Sequence, residues 1–190
     1  MTQAPAPAHK GPAARDPLTA ATAGVAWLIL VDKPLYPLSV WWWVGDGVLA
    51  SAATLITAPL WAALAWGAGR APRLVRIALP LLGLLDTVIA TRLFGAAAGT
   101  ELFLVPCLLL AVLAIPADEP WTSRILVATL FLAFVAGHGR FGPPLQDWSG
   151  DAVARLAELN AFAVASLSAY LGLRFAALRG RTIGADEPRA

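Results

Sequence analysis

Near-continuous apolar runs approaching about 20 residues, broken only by short charged or Pro/Gly-rich segments, constrain this chain more than any other feature. A hydrocarbon layer about 30 Å thick demands such runs of a spanning helix. Strands of a membrane barrel would alternate apolar and polar positions, and these runs do not. With 58% hydrophobic and 14% charged residues over 190 positions, a water-soluble fold could not hide so much apolar surface. The expectation is an all-α membrane protein, a six-transmembrane-helix bundle with the bilayer as its first partner.

The first span, from Leu18, reaches only Val31 before Asp32, Lys33, Pro34 and Pro37. It is long enough if it extends to about Leu35 with Asp32 and Lys33 in its last turn, paired with each other or reaching for headgroups. Trp41, Trp42 and Trp43 then precede Gly45–Asp46–Gly47, an expected interfacial turn, because indoles favour the headgroup level. The second span covers Val48 to Gly67; Ala50, Thr54, Ala58 and Ala62 form a small-residue ridge along it, Pro59 bends it, and Trp61 and Trp66 mark its inner end. The third runs from about Leu74 to Phe94. Gly95 to Gly99 make a tight reversal, and the fourth continues from Thr100 to Ile115. The fifth spans Ile125, or Trp121, to Gly137. The segment LQDWSGDAVARL is expected along the membrane surface before a sixth span from Leu156 to Leu178.

Residues 1–16, rich in Pro and Ala, are expected to be a disordered cytoplasmic tail, residues 17–179 the membrane domain and residues 180–190 a short cytoplasmic tail. With six spans, one side of the membrane receives ten lysines and arginines, Arg70, Arg73, Arg76 and Arg179 among them. The other receives Lys33, Arg92, Arg140 and Arg155. The positive-inside bias places both termini in the cytoplasm and the chain, multi-pass, in a bacterial inner membrane.

Several function classes find no support. No basic tract interleaved with aromatics points to nucleic acid. The single Cys107 excludes an intrachain disulfide and a cysteine zinc cluster, and two histidines at positions 9 and 138 cannot make a bis-imidazole haem site within the bilayer. Without a glycine-rich phosphate loop, a paired nucleophile or metal-ligand spacing, no catalytic residue, metal or cofactor is expected, and the chain is expected not to be an enzyme.

The informative polar groups lie in Leu81–Cys107. Asp86 sits nine residues before the turn at Gly95, hence about 13 Å below it. An ionised Asp at such depth costs about 2.5–3.5 kcal/mol on insertion scales, so it should face the bundle. It is a candidate ligand or proton site together with Asn160 and Ser168, which share a face of the sixth span; the alternative is a structural hydrogen bond from Asp86 to Asn160, Ser168 or Thr87. Arg92 and Glu101, near the outer ends of adjacent helices, are a candidate outer-face ion pair fixing the hairpin, with a ligand carboxylate on Arg92 as the alternative.

The run FGAAAGTELFLVPCLL, preceded by Asp86, resembles the six-helix membrane domains at the N termini of many bacterial adenylate, guanylate and diguanylate cyclases. Those domains often show glycine, three residues, glycine, then polar and aromatic positions, matched here by Gly95, Gly99, Glu101 and Phe103. The resemblance covers about residues 18–178 and rests on that short motif. Members often carry histidine near the positions of Asp86 and Glu101, where this chain has carboxylates. With about 12 residues after the last span, the resemblance implies a stand-alone sensor module whose output passes through a partner protein or a homo-oligomer. A non-catalytic sensory or regulatory role is therefore expected, its small-molecule ligand unspecified. Alternatives are a small proton-coupled transporter or channel using Asp86, and a membrane assembly or scaffold subunit docking through the Ala50–Ala62 ridge.

Overall fold

The computed structural model describes residues 16–185, with side chains as far as Leu178. Residues 1–15 of the expected N-terminal tail and 186–190 of the C-terminal tail lie outside the described residues. The described chain is helical, without strands. Among the described residues, five helices are long and apolar enough to cross a membrane: α1 Pro17–Trp43, α2 Val48–Gly67, α3 Pro72–Phe94, α5 Pro120–Gly137, and α6 Gly150–Ala185, apolar over Gly150–Leu178. A shorter apolar helix, α4 Thr100–Leu113, lies between α3 and α5.

Helix starts follow local chemistry. The Asp16 carboxylate caps the Leu18 amide ahead of Pro17, whose missing N–H costs nothing in the first turn, and α3 and α5 open likewise on Pro72 and Pro120. Gly95 and Gly99 have positive φ (85° and 72°) and bracket one short 3₁₀ turn, Ala96–Ala98, while a second, Thr100–Phe103, opens α4. The glycine pair thus belongs to the reversal between α3 and α4.

Two expected helix boundaries need correction. The first helix does not stop near Leu35 but continues through Pro34 and Pro37 to Trp43. A proline releases one carbonyl yet leaves the path helical when neighbouring groups take up the slack, which spanning helices tolerate. The sixth begins at Gly150, not Leu156, so of the expected surface segment only Leu145–Ser149 is non-helical. That connection folds onto the bundle: the Leu145 amide donates to the Arg92 carbonyl at 2.9 Å, and the Trp148 indole donates to the Leu93 carbonyl at 3.3 Å.

Short connections make α1 to α5 successive antiparallel neighbours, whereas α6, reached through the longer 138–149 connection, packs against α1 and α4 and not against α5. One apolar cluster joins the start of α1 (Ala21, Val25) to the ends of α2 (Trp61, Ala65), α4 (Leu110, Ala114) and α6 (Leu171, Phe175). A second, at the opposite end, joins Val40, Val44, Phe94, Ala98 and Leu156. Large apolar side chains such as Leu49 (89% exposed) and Leu173 (75%) point outward, as a lipid-facing surface requires.

Candidate functional site

The break in α2 builds the site. Residues Ala53–Thr57 wind as 3₁₀ helix immediately before Pro59. Proline has no N–H for the Leu55 carbonyl, and the Ala58 amide takes that carbonyl instead. The ladder tightens to i→i+3, which leaves the Thr54 carbonyl, 3.3 Å from Thr57 Oγ1, a second lone pair for a donor from another helix. That carbonyl accepts from Lys33, whose Nζ lies 2.9 Å away.

Lys33 therefore lies at mid-helix, 8% exposed, and not at a headgroup or paired with Asp32. Its Nζ also donates to Thr57 Oγ1 at 2.6 Å and forms an ion pair with Asp86 Oδ2 at 2.8 Å. The three ammonium protons thus meet three acceptors. The other oxygen of Asp86 accepts from the Thr57 hydroxyl, and Trp61 Nε1 donates to Asp86 Oδ2 at 2.7 Å. Trp61, expected at the inner end of its span, is 1% exposed and belongs to this cluster, while Trp66 is exposed and stacks edge-on against Trp27.

The 3₁₀ stretch also explains why the small-residue ridge is not the packed face. Each 3₁₀ residue turns about 120° instead of 100°, so five of them rotate the stripe by roughly a quarter turn or more. Ser51, Thr57, Trp61, Ala65 and Ala68 are buried; Ala50, Thr54, Ala58 and Ala62 are half-buried.

Around the pair opens a cavity of about 530 Å³ walled by α1, α2, α3, α4 and α6, with Asp32, Tyr36, Gly83, Phe103, Leu167 and Tyr170 among its lining. Its size falls within the range of small-molecule sites, and its walls are mostly apolar with a few convergent polar groups.

The other expected site residues fall elsewhere. Asn160 is fully buried but turns to Tyr36, accepting its hydroxyl at 3.0 Å, and donates to the Ala98 carbonyl at 2.7 Å. The Ser168 hydroxyl is buried without a partner among the described residues, and Thr87 donates to its own helix at Gly83. Asp86, Asn160 and Ser168 are therefore not one constellation. Nor do Arg92 and Glu101 pair. The turn brings Thr91 and Thr100 face to face at 2.9 Å, and the residues one step along each helix point away from that seam. Arg92 donates to the Phe141 carbonyl, and Glu101 meets His138 Nδ1 at 2.6 Å. No group of three or more His, Cys, Asp or Glu able to hold a metal occurs among the described residues.

No protein-family model, curated protein or solved structure matches this chain.

The sequence already carried a signal for the partner of Asp86. A carboxylate held in mid-span needs a cation, and Lys33 is the only lysine beyond residue 10. The two prolines after it hid the signal by suggesting that the helix had ended.

Proposed function

We propose that this chain is a six-span inner-membrane protein, both termini cytoplasmic, that binds a small molecule in the Lys33–Asp86 cavity and serves as a sensory or regulatory module without catalysis of its own. The observation that carries the binding reading is the charge pair on the wall of a roomy, mostly apolar cavity shared by five helices. An occupant touching all five can bias how they pack, which is what a sensor needs. The likeness of Gly95, Gly99, Glu101 and Phe103 to cyclase-linked membrane domains favours a sensory output, relayed through a partner protein or a second copy. Co-purification from gently solubilised membranes tests it: a retained protein partner or a defined oligomer is expected. A strictly monomeric chain that retains no partner overturns the regulatory role.

One observation favours a second reading, proton-coupled transport. Transporter sites near the bilayer midplane use interrupted helices, and α2 is interrupted beside the pair. In proteoliposomes, transport predicts proton-coupled flux that Asp86→Asn abolishes; flux unchanged by that variant removes Asp86 from such a mechanism.

A further inference from the structure

The cavity is lined by three acidic or basic side chains, Asp32, Lys33 and Asp86, and only two of them are matched. Lys33 and Asp86 compensate each other at 2.8 Å, and the remaining Lys33 protons go to the Thr54 carbonyl and the Thr57 hydroxyl. Lys33 therefore has no donor left for an incoming anion. Asp32, next to Lys33 on α1, also lines the cavity, yet it makes none of the ion pairs found among the described residues and its side chain is exposed at the cavity's edge. It is the sixteenth residue of a helix of 27, so it lies about 22 Å along from Pro17 and about 16 Å from Trp43, near mid-span. An unmatched carboxyl at that depth calls for either a proton or a cation.

The walls indicate which cation. Ile29 and Leu167 are apolar, and Tyr36, Trp61, Phe103 and Tyr170 add aromatic surface. A hydrated metal ion would gain nothing from such walls, and too few oxygen donors converge to strip its water. An organic ammonium with an apolar body satisfies both halves: its charge meets the Asp32 carboxylate, its body fills the cavity, and the aromatic rings favour a cation over their faces. Resting on the binding reading above, we propose that the cavity takes a hydrophobic amine or quaternary ammonium compound, with Asp32 as its counter-ion and the Lys33–Asp86 pair as a closed, electrically neutral wall.

The test uses the full chain in lipid nanodiscs and three probes with the same body: 4-phenylbutylamine, 4-phenylbutyrate and 4-phenylbutanol. Equilibrium dialysis against empty nanodiscs subtracts partitioning into lipid. The amine is expected to bind at least about tenfold more tightly than either other probe, as a desolvated charge-assisted contact provides. Asp32→Asn should erase that preference while leaving the alcohol unaffected, and Asp32→Glu should keep it. Since Asp32 holds no ion pair among the described residues, neither change removes one of the ion pairs found there. Ala90→Phe and Ala163→Phe, which fill the cavity from α3 and α6, should weaken all three probes.

Equal binding of the three probes, all blocked by the phenylalanine variants, overturns the cation assignment and leaves the binding reading intact. A preference for the carboxylate overturns the assignment in favour of Lys33 as anchor. Binding indistinguishable from empty nanodiscs, or insensitive to both phenylalanine variants, overturns the cavity as a site and the cation assignment with it.

Discussion

At the scale of single residues, the Lys33–Asp86 pair has the most at stake. Removing one partner leaves an uncompensated charge in the bundle, which costs about 3–5 kcal/mol, whereas replacing both by apolar groups of similar volume is close to neutral. Lys33→Met and Asp86→Leu should each lower the unfolding midpoint in detergent sharply, and the double variant should recover most of the loss. Additive losses would show that the pair does not act as a unit. Trp61→Phe, which deletes the 2.7 Å donor to Asp86 and leaves part of the buried indole's space empty, should cost at least about 1.5–3 kcal/mol. The depth of Asp86 was legible from its place in an apolar run. The identity of its partner was not, because Pro34 and Pro37 made Lys33 look terminal, and the donation from Trp61 depends on a helix rotation that no spacing rule contains.

At the scale of helices, the close approach of α3 and α4 beside the cavity rests on Gly83, where an added Cβ would lie 2.5 Å from Cys107 Sγ but 3.9 Å from Cys107 Cβ. Gly83→Ala should therefore destabilise by about 1–3 kcal/mol through overpacking. In a Cys107→Ala background the sulfur is gone, and the same change should be neutral or stabilising, since alanine is the better helix former by about 1 kcal/mol. A cycle of four unfolding measurements reads this coupling, and an uncoupled pair would refute the contact. The connections offer a parallel contrast. Gly45 and Gly47 both have positive φ, but a Cβ on Gly47 would overlap the Trp148 ring, whereas one on Gly45 meets nothing within 4 Å. Gly47→Ala should cost more than Gly45→Ala, whose strain alone is about 1–2 kcal/mol. The glycine turn and most span positions could be predicted from apolar run length and Gly/Pro punctuation. The seating of Trp148 on Gly47 could not, since it joins residues 101 positions apart in sequence.

At the scale of the whole molecule, polar clasps close both ends of the bundle around the central pair. Glu101 with His138, and Arg92 with the Phe141 carbonyl, tie the α3–α4 hairpin to the end of α5 and its following loop. At the opposite end Arg76, buried on α3, reaches Asp16 and Thr19 at the start of α1. Arg76, counted among the basic residues of one side of the membrane, lies in the second turn of a helix that starts at Pro72, which sets its guanidinium against the start of α1. This clasp has a pH signature. Burial works to raise the Asp16 carboxyl, but the Thr19 hydroxyl, the Leu18 amide and the Arg76 charge together outweigh it and hold the group below its usual 3.8. A carboxyl depressed in the folded state contributes stability that is fully present above its unfolded value and is lost as pH falls through the folded one. The unfolding temperature should thus hold above pH 3.8 as far as Asp16 is concerned and decline below it. Other carboxylates titrate there too, so the comparison with Arg76→Gln isolates the clasp. That variant loses the Coulombic part and keeps the Thr19 and Leu18 bonds, and its acid decline should be shallower without vanishing. An acid decline equally steep in both proteins would mean that Arg76 does not hold the start of α1 through Asp16.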